Sequence, residues 1–129
     1  MGQLEVLMKD MQSERDKGNY CICGGDFNSD FTCNSVAELN NGLVSDMGWA
    51  QPFSDKYLGE NLVKCTDYSD HVTMPTCRNC DKPYEKGDFT IIVDGFIISD
   101  NIEMTYLKNI QTDFEYSDHN PVVMRFILR

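Results

Sequence analysis

At 129 residues, with 11 Lys and Arg against 21 Asp and Glu, the chain carries a formal net charge of −10, which repels nucleic acid and anionic membrane unless cations intervene. A chain of this length makes one domain, able to bury roughly two thirds of its unfolded surface. A basic nucleic-acid groove is therefore disfavoured; no apolar stretch approaches the roughly 20 residues that span a bilayer, and the N-terminus lacks a basic-then-apolar leader, so the chain reads as soluble and cytoplasmic.

In chain order, Leu4, Leu7, Met8 and Met11 recur at i, i+3, i+4 and i+7 and predict an amphipathic helix over 3–16. Gly18-Asn19 is its stop. Tyr20 to Cys23 then predicts a short buried strand running into Gly24-Gly25, with Asp26 and Asn28 emerging past its end. Residues 34–63 give a mixed signal, with short helices over Ser35–Leu39 and after Ser54, and Trp49, Pro52 and Phe53 anchoring the stretch on the core. Residues 64–88 hold the breakers Pro75, Pro83 and Gly87 and read as a long connection with one strand near Thr76. Three strands follow, over Phe89–Ile98, Ile102–Ile110 and Val122–Leu128, rich in β-branched and aromatic residues. The class is α/β in the broad sense (α+β), a mostly antiparallel sheet with flanking helices.

The six cysteines are too irregular in spacing for a secreted disulfide scaffold. Cys21 and Cys23 alternate along a strand, face one side of it and read as buried thiols. Cys77 and Cys80 have the spacing of half a zinc site, but no second pair matches it, so zinc at Cys77/Cys80 is not expected; Cys65 and His71 are the only completers. No helical period follows, as a redox CxxC would require.

Asp26, Asn28, Asp94, Asp118 and His119 each fit a turn former taken alone. Together they recur at strand ends, and Asp94 interrupts a run of Ile92, Val93, Phe96 and Ile97, where a carboxylate needs a partner to offset desolvation. A histidine nitrogen would serve. Tyr-Ser-Asp-His occurs at 68–71 and at 116–119. The second copy leads through Asn120-Pro121 into a strand, which presents the acid and imidazole at a strand edge; the first lies among breakers. Asp118 and His119 are therefore assigned to the site, and Asp70 and His71 to a surface loop.

GGDFNSD (24–30), VDGFIIS (93–99) and YSDHNPVVM (116–124), in that order and strand context, resemble the endonuclease/exonuclease/phosphatase superfamily, which includes the pancreatic deoxyribonuclease fold. The resemblance spans Leu4 to Arg129 and implies half of a four-layer α/β sandwich and a metal-dependent phosphoesterase using Mg2+ or Mn2+. It implies that Asp26 orients or deprotonates the attacking water and that Asn28 holds a phosphate oxygen or the nucleophile. Asp118 would sit at the metal and His119 at the scissile phosphate, with Asp94 accepting from its other ring nitrogen. Members of the superfamily have about twice this length, and their first half supplies an early Asn, a metal-binding Glu and a second His that have no counterpart here. The chain is therefore expected to be a C-terminal portion, 1–129, with the N-terminal half absent. It would pair with that half or self-associate through an inner sheet face carrying Ile22, Ile92, Ile97, Val123 and Phe126. The alternative is a catalytically incomplete remnant or interaction module of the same fold. The substrate would be a phosphate ester. Lys56, Lys64, Arg78, Lys82 and Lys86 are scattered among acids, so DNA is not favoured, and a small phosphodiester, phospholipid head group or nucleotide serves as well.

Overall fold

The computed structural model describes residues 2–42 and 51–129; Trp49 lies outside the described residues. Helix α1 spans Gln3–Asp16 and turns the predicted face inward: Met8 and Met11 are buried, and Leu4 and Leu7 pack against the same cluster. Its end follows from Gly18, whose φ of +88° lets the N–H groups of Gly18 and Asn19 donate to the carbonyls of Arg15 and Glu14 at 2.9 and 3.1 Å. Those bonds satisfy carbonyls that the last turn leaves open.

Strand β1 covers Ile22–Asp26, starting two residues later than expected and running through both glycines to the acid. Gly24 and Gly25 pair with Phe96 and Gly95 of the strand Asp94–Ser99. A Cβ at Gly24 would stand 2.6 Å from the Phe96 ring, and one at Gly95 would stand 2.4 Å from the Phe31 ring. The glycines thus mark places where aromatic rings lie against the ladder, and the strand passes through them.

Helix α2 is Ser35–Leu39. Asp30, buried, accepts from the Ser35 hydroxyl at 2.6 Å and from the Ser35 and Val36 N–H groups at 3.2 Å each, satisfying donors at the helix start. A 3-10 turn at Asp55–Tyr57 takes the place of the second expected helix. Phe53 is buried and Pro52 exposed, so of these two it is Phe53 that anchors the stretch.

Two strands follow, β2 at Leu62–Lys64 and β3 at Cys77–Arg78. The apolar run expected as one strand over 89–98 is two: β4 at Thr90–Ile91 pairs with β3, and β5 at Asp94–Ser99 pairs with β1 and β2. Between them the chain crosses from one ladder to the other, and the carbonyls of Ile92 and Val93 accept from the N–H groups of Phe31 and Phe27 at 2.9 Å each. β6 at Ile102–Asn109 and β7 at Val122–Leu128 form a hairpin with a bulge between Met104 and Tyr106. The described residues are therefore α+β, with antiparallel ladders in the order β1-β5-β2, β3-β4 and β6-β7.

The β1-β5-β2 sheet is covered differently on its two faces. On one, Ile97 and Leu62 join Met8, Met11, Phe31, Phe53 and Ile92, with Cys21 and Cys23 half-buried against them. On the other, Ile98 is buried with Cys65, Ile102 and Leu107, while its cross-strand neighbours Ile22 and Val63 stay 42% and 47% exposed. The expected open face therefore needs correction. Ile92 and Ile97 are fully buried in the helix-side core, whereas Ile22, Val123 and Phe126 are exposed. Strand alternation places Ile97 and Ile98 on opposite faces, and Ile22 belongs with Ile98. Among the described residues no helix is long and apolar enough to cross a membrane.

Candidate active site

Asp26, at the end of β1, faces Asp94, at the start of β5, in register, so both carboxylates leave the same face of the sheet. His119 comes from the loop between β6 and β7. It is fixed from the β3 side by a bridge to Cys77, by Arg78 N–H donating to Asp118 O at 3.1 Å and by Asn120 N–H donating to Thr76 O at 2.8 Å. Thr76, fully buried, accepts through its hydroxyl oxygen from Val93 and Asp94 N–H at 2.9 and 3.1 Å. Three segments distant in sequence are thereby tied at one point.

His119 Nδ1 lies 2.8 Å from Asp94 Oδ2. A carboxylate accepts, so Nδ1 carries the hydrogen and Nε2 faces the open side. There it stands 4.0 Å from Asp26 Oδ2 and 3.8 Å from Cys77 Sγ. Burial pulls the imidazole pKa down, but the hydrogen bond to Asp94 and the charges of Asp94, Asp118 and Asp26 outweigh it, leaving His119 above its ordinary value. The Asp94 carboxyl is also raised, by burial first, against the lowering hydrogen bonds of His119 and Thr76. Both directions follow from a carboxylate-imidazole pair that has lost part of its solvent.

The five residues singled out in the sequence are not equally engaged. Asp26, Asp94 and His119 converge. Asp118 lies beside them, close enough for its charge to raise both His119 and Cys77. Asn28 is held at φ +49°, and its N–H donates to Asp26 Oδ1 at 2.7 Å. That turn leaves Oδ2 of Asp26 facing the imidazole. The Asn28 amide is exposed, on the rim of a hollow of about 320 Å³ shared with Asp26, Phe27, Leu4 and Leu7.

Sequence reasoning missed Thr76 and gave Asn120 only a turn. Asn120 is buried; its amide donates to Pro75 O at 3.0 Å and Gln111 Oε1 at 2.9 Å, and its oxygen accepts from Thr112 N–H and hydroxyl at 3.2 and 2.6 Å. It is the hub of the loop that carries His119. Cys77 drew notice through the wrong partner: its sulfur faces the imidazole, while Cys80 is exposed on the following loop. Cys77, His119 and Asp94 have the order of a thiol-nucleophile triad. Burial, followed by the charges of Asp94, Asp118 and Asp26, pushes the Cys77 thiol up to about 12, the opposite of the lowered value that marks reactive thiols.

The acids of this cluster offer hard oxygen donors, the chemistry suited to Mg2+ or Mn2+. Among the described residues no group of three or more His, Cys, Asp and Glu is arranged to hold a metal ion. Mg2+ characteristically uses one or two carboxylates and fills the rest of its shell from water and phosphate oxygens. Compared with known proteins, the chain matches no family model, no curated protein and no solved structure.

Proposed function

We propose that the chain carries the C-terminal half of a metal-dependent phosphoesterase site of the endonuclease/exonuclease/phosphatase type. The observation that carries this reading is the line Asp94–His119–Asp26, with Nδ1 of the imidazole held at 2.8 Å and a second carboxylate 4.0 Å from Nε2. Phosphoryl hydrolysis needs a positioned water, neutralised non-bridging oxygens and help for the leaving group. Asp26, exposed and fixed through one oxygen by its own turn, orients or deprotonates the water. Asn28 offers its amide to a phosphate oxygen. His119, kept protonated to higher pH by its acids, donates from Nε2 to the phosphate or the leaving oxygen, and Asp94 holds the ring in that pose. A divalent cation at Asp118, Mg2+ or Mn2+, would supply charge neutralisation.

The net charge of −10 favours a small phosphate ester over a long polyanion. Six free cysteines fit a reducing, cytoplasmic setting. The test is Mg2+-dependent hydrolysis of bis-p-nitrophenyl phosphate by the chain, lost in Asp118→Ala and in His119→Ala. Hydrolysis that survives both substitutions would sink the assignment.

A second reading, an interaction module of the same fold, is favoured by the exposure of Ile22 and Val63 on either side of buried Ile98. No turnover with either cation, together with concentration-dependent association in sedimentation that is lost in Ile22→Asp, would favour it over catalysis.

A further inference from the structure

We infer that the hollow beside Asp26 and Asn28 is a subsite for the substituent of a phosphodiester that stays on phosphorus, and that this substituent is apolar and of the size of one ring. The hollow, about 320 Å³, opens between the first two turns of α1 and the end of β1, and Leu4, Leu7 and Phe27 line it together with Gly24 and Gly25. That volume lies at the small end for ligand pockets, which run from about 300 to 1,000 Å³. Its walls are preformed. The Phe27 ring is stacked on Phe31 at 5.0 Å between centroids and meets Phe53 edge-on at 5.8 Å, and Leu4 and Leu7 pack against the Met8 and Met11 cluster. Gly25 brings bare backbone to the wall, and a Cβ there would meet nothing within 4 Å.

The occupant follows from what the walls lack and from what stands at the rim. No Lys, Arg or His lines the hollow, and Asp26 is its one charged residue, so a second phosphate there would meet repulsion with nothing to offset it. An apolar group instead gives up water on entering, and a ring gains an aromatic contact with Phe27 that an alkyl chain does not. At the rim, Asn28 is exposed and its backbone N–H holds Asp26 Oδ1 at 2.7 Å. In the phosphoesterase reading, on which this inference rests, Asp26 serves the water, Asn28 a phosphate oxygen and His119 the leaving oxygen. His119 does not line the hollow. The leaving group therefore belongs with the imidazole, and the hollow, on the Asn28 side, is left for the other ester substituent.

The test holds the leaving group constant and varies the substituent that stays. With Mg2+, phenyl p-nitrophenyl phosphate should be hydrolysed with a kcat/KM about 10- to 100-fold above that of methyl p-nitrophenyl phosphate, most of it in KM, as for binding made equally in the ground and transition states. Leu4→Gln and Leu7→Gln should each cut that ratio several-fold. Both rates come from the same folded molecules, so the ratio is insensitive to partial unfolding of a variant. Equal kcat/KM on the two esters, or a ratio kept in both variants, overturns the proposal. Binding is read separately, from the amide signals of Gly24, Gly25 and Phe27: phenylphosphonate with Mg2+ should shift them and methylphosphonate should not. A wild type that turns over neither ester refutes the phosphoesterase reading, and the phosphonate titration then decides the hollow alone. Shifts selective for the phenyl compound keep it as an apolar ligand site, and their absence overturns it. A dimer in sedimentation that Leu7→Gln disperses would give the hollow to a second copy of the chain and overturn the proposal as well.

Discussion

In the copy of Tyr-Ser-Asp-His at 68–71, the Ser69 hydroxyl accepts from Leu107 N–H at 3.0 Å and Asp70 accepts from Val72 N–H at 3.3 Å. Asp70 also meets Lys108 at 3.5 Å, and Tyr68 packs against the Ile98 cluster. His71 is exposed with φ +53°. In the copy at 116–119, Tyr116 is 88% exposed, Asp118 is left with its carboxylate near the imidazole, and His119 is gripped by Asp94. The same four side chains make a docking turn in one place and a candidate reactive pair in the other. What separates them is the next residue, exposed Val72 against buried Asn120, and what stands opposite, since only the second copy faces Asp94 and β3. A short motif therefore has chemical meaning only through the contacts its flanks impose.

The largest test of that contrast is removal of each imidazole. His119→Ala should lower phosphodiester turnover by roughly 10²- to 10⁴-fold, the usual yield of a positioned acid-base group, while His71→Ala leaves it unchanged. Steady-state rates on bis-p-nitrophenyl phosphate decide this, and equal losses would abolish the distinction between the copies.

Next comes the residue after each histidine. Asn120→Val gives the second copy the flank of the first and strips partners from Pro75 O, Gln111 and Thr112 in a buried loop. Unsatisfied buried groups cost about 1–3 kcal/mol each before relaxation, so a loss of about 3 kcal/mol is expected in urea unfolding. The reverse change, Val72→Asn on an exposed turn, should stay within about 0.5 kcal/mol.

These contrasts also show what could be read before folding. The α1 period, the Gly18 stop and the β7 strand are local patterns, and each stands where the sequence puts it. β2 and β3, at three and two residues, are too short to display alternation, and the run at 89–98 hides its change of ladder because both halves are buried. Asp94 announced its need for a partner by its apolar surroundings, and the convergence of Asp26, Asp94 and His119 followed from three strand ends. Thr76 and Cys77 enter the site through a two-residue strand whose register depends on long-range pairing, and no local pattern encodes that.

The acids behind the two histidines give a smaller, directional test. His119 stands above the ordinary imidazole pKa because the hydrogen bond to Asp94 and the charges of Asp94, Asp118 and Asp26 outweigh burial. A rate limb that needs the protonated ring falls as pH rises through that raised value. Asp94→Asn removes a negative charge, so the ring loses its proton at lower pH, and the limb moves to lower pH with a drop in kcat of roughly tenfold or more. Asp70→Asn should leave the profile in place, since Asp70 bonds Val72 and Lys108. A limb that does not move in Asp94→Asn would detach His119 from it.

The smallest effects belong to the serines, and they divide the copies most finely. Ser69 holds Leu107 N–H on the outer side of β6, and Leu107 is fully buried, so Ser69→Ala should cost about 1 kcal/mol of stability with no change in turnover. Ser117 accepts from the N–H of His119 itself at 3.1 Å on an exposed turn. Removing that bond frees the backbone that carries the imidazole while water takes over the N–H, so Ser117→Ala should cost less than about 0.5 kcal/mol of stability yet lower kcat several-fold. Stability and rate measured on the two variants side by side would sharpen the comparison if the losses separate. If they fall in the same proportion, both copies are turns of one kind, and the placement of His119 owes nothing to its own tetrapeptide.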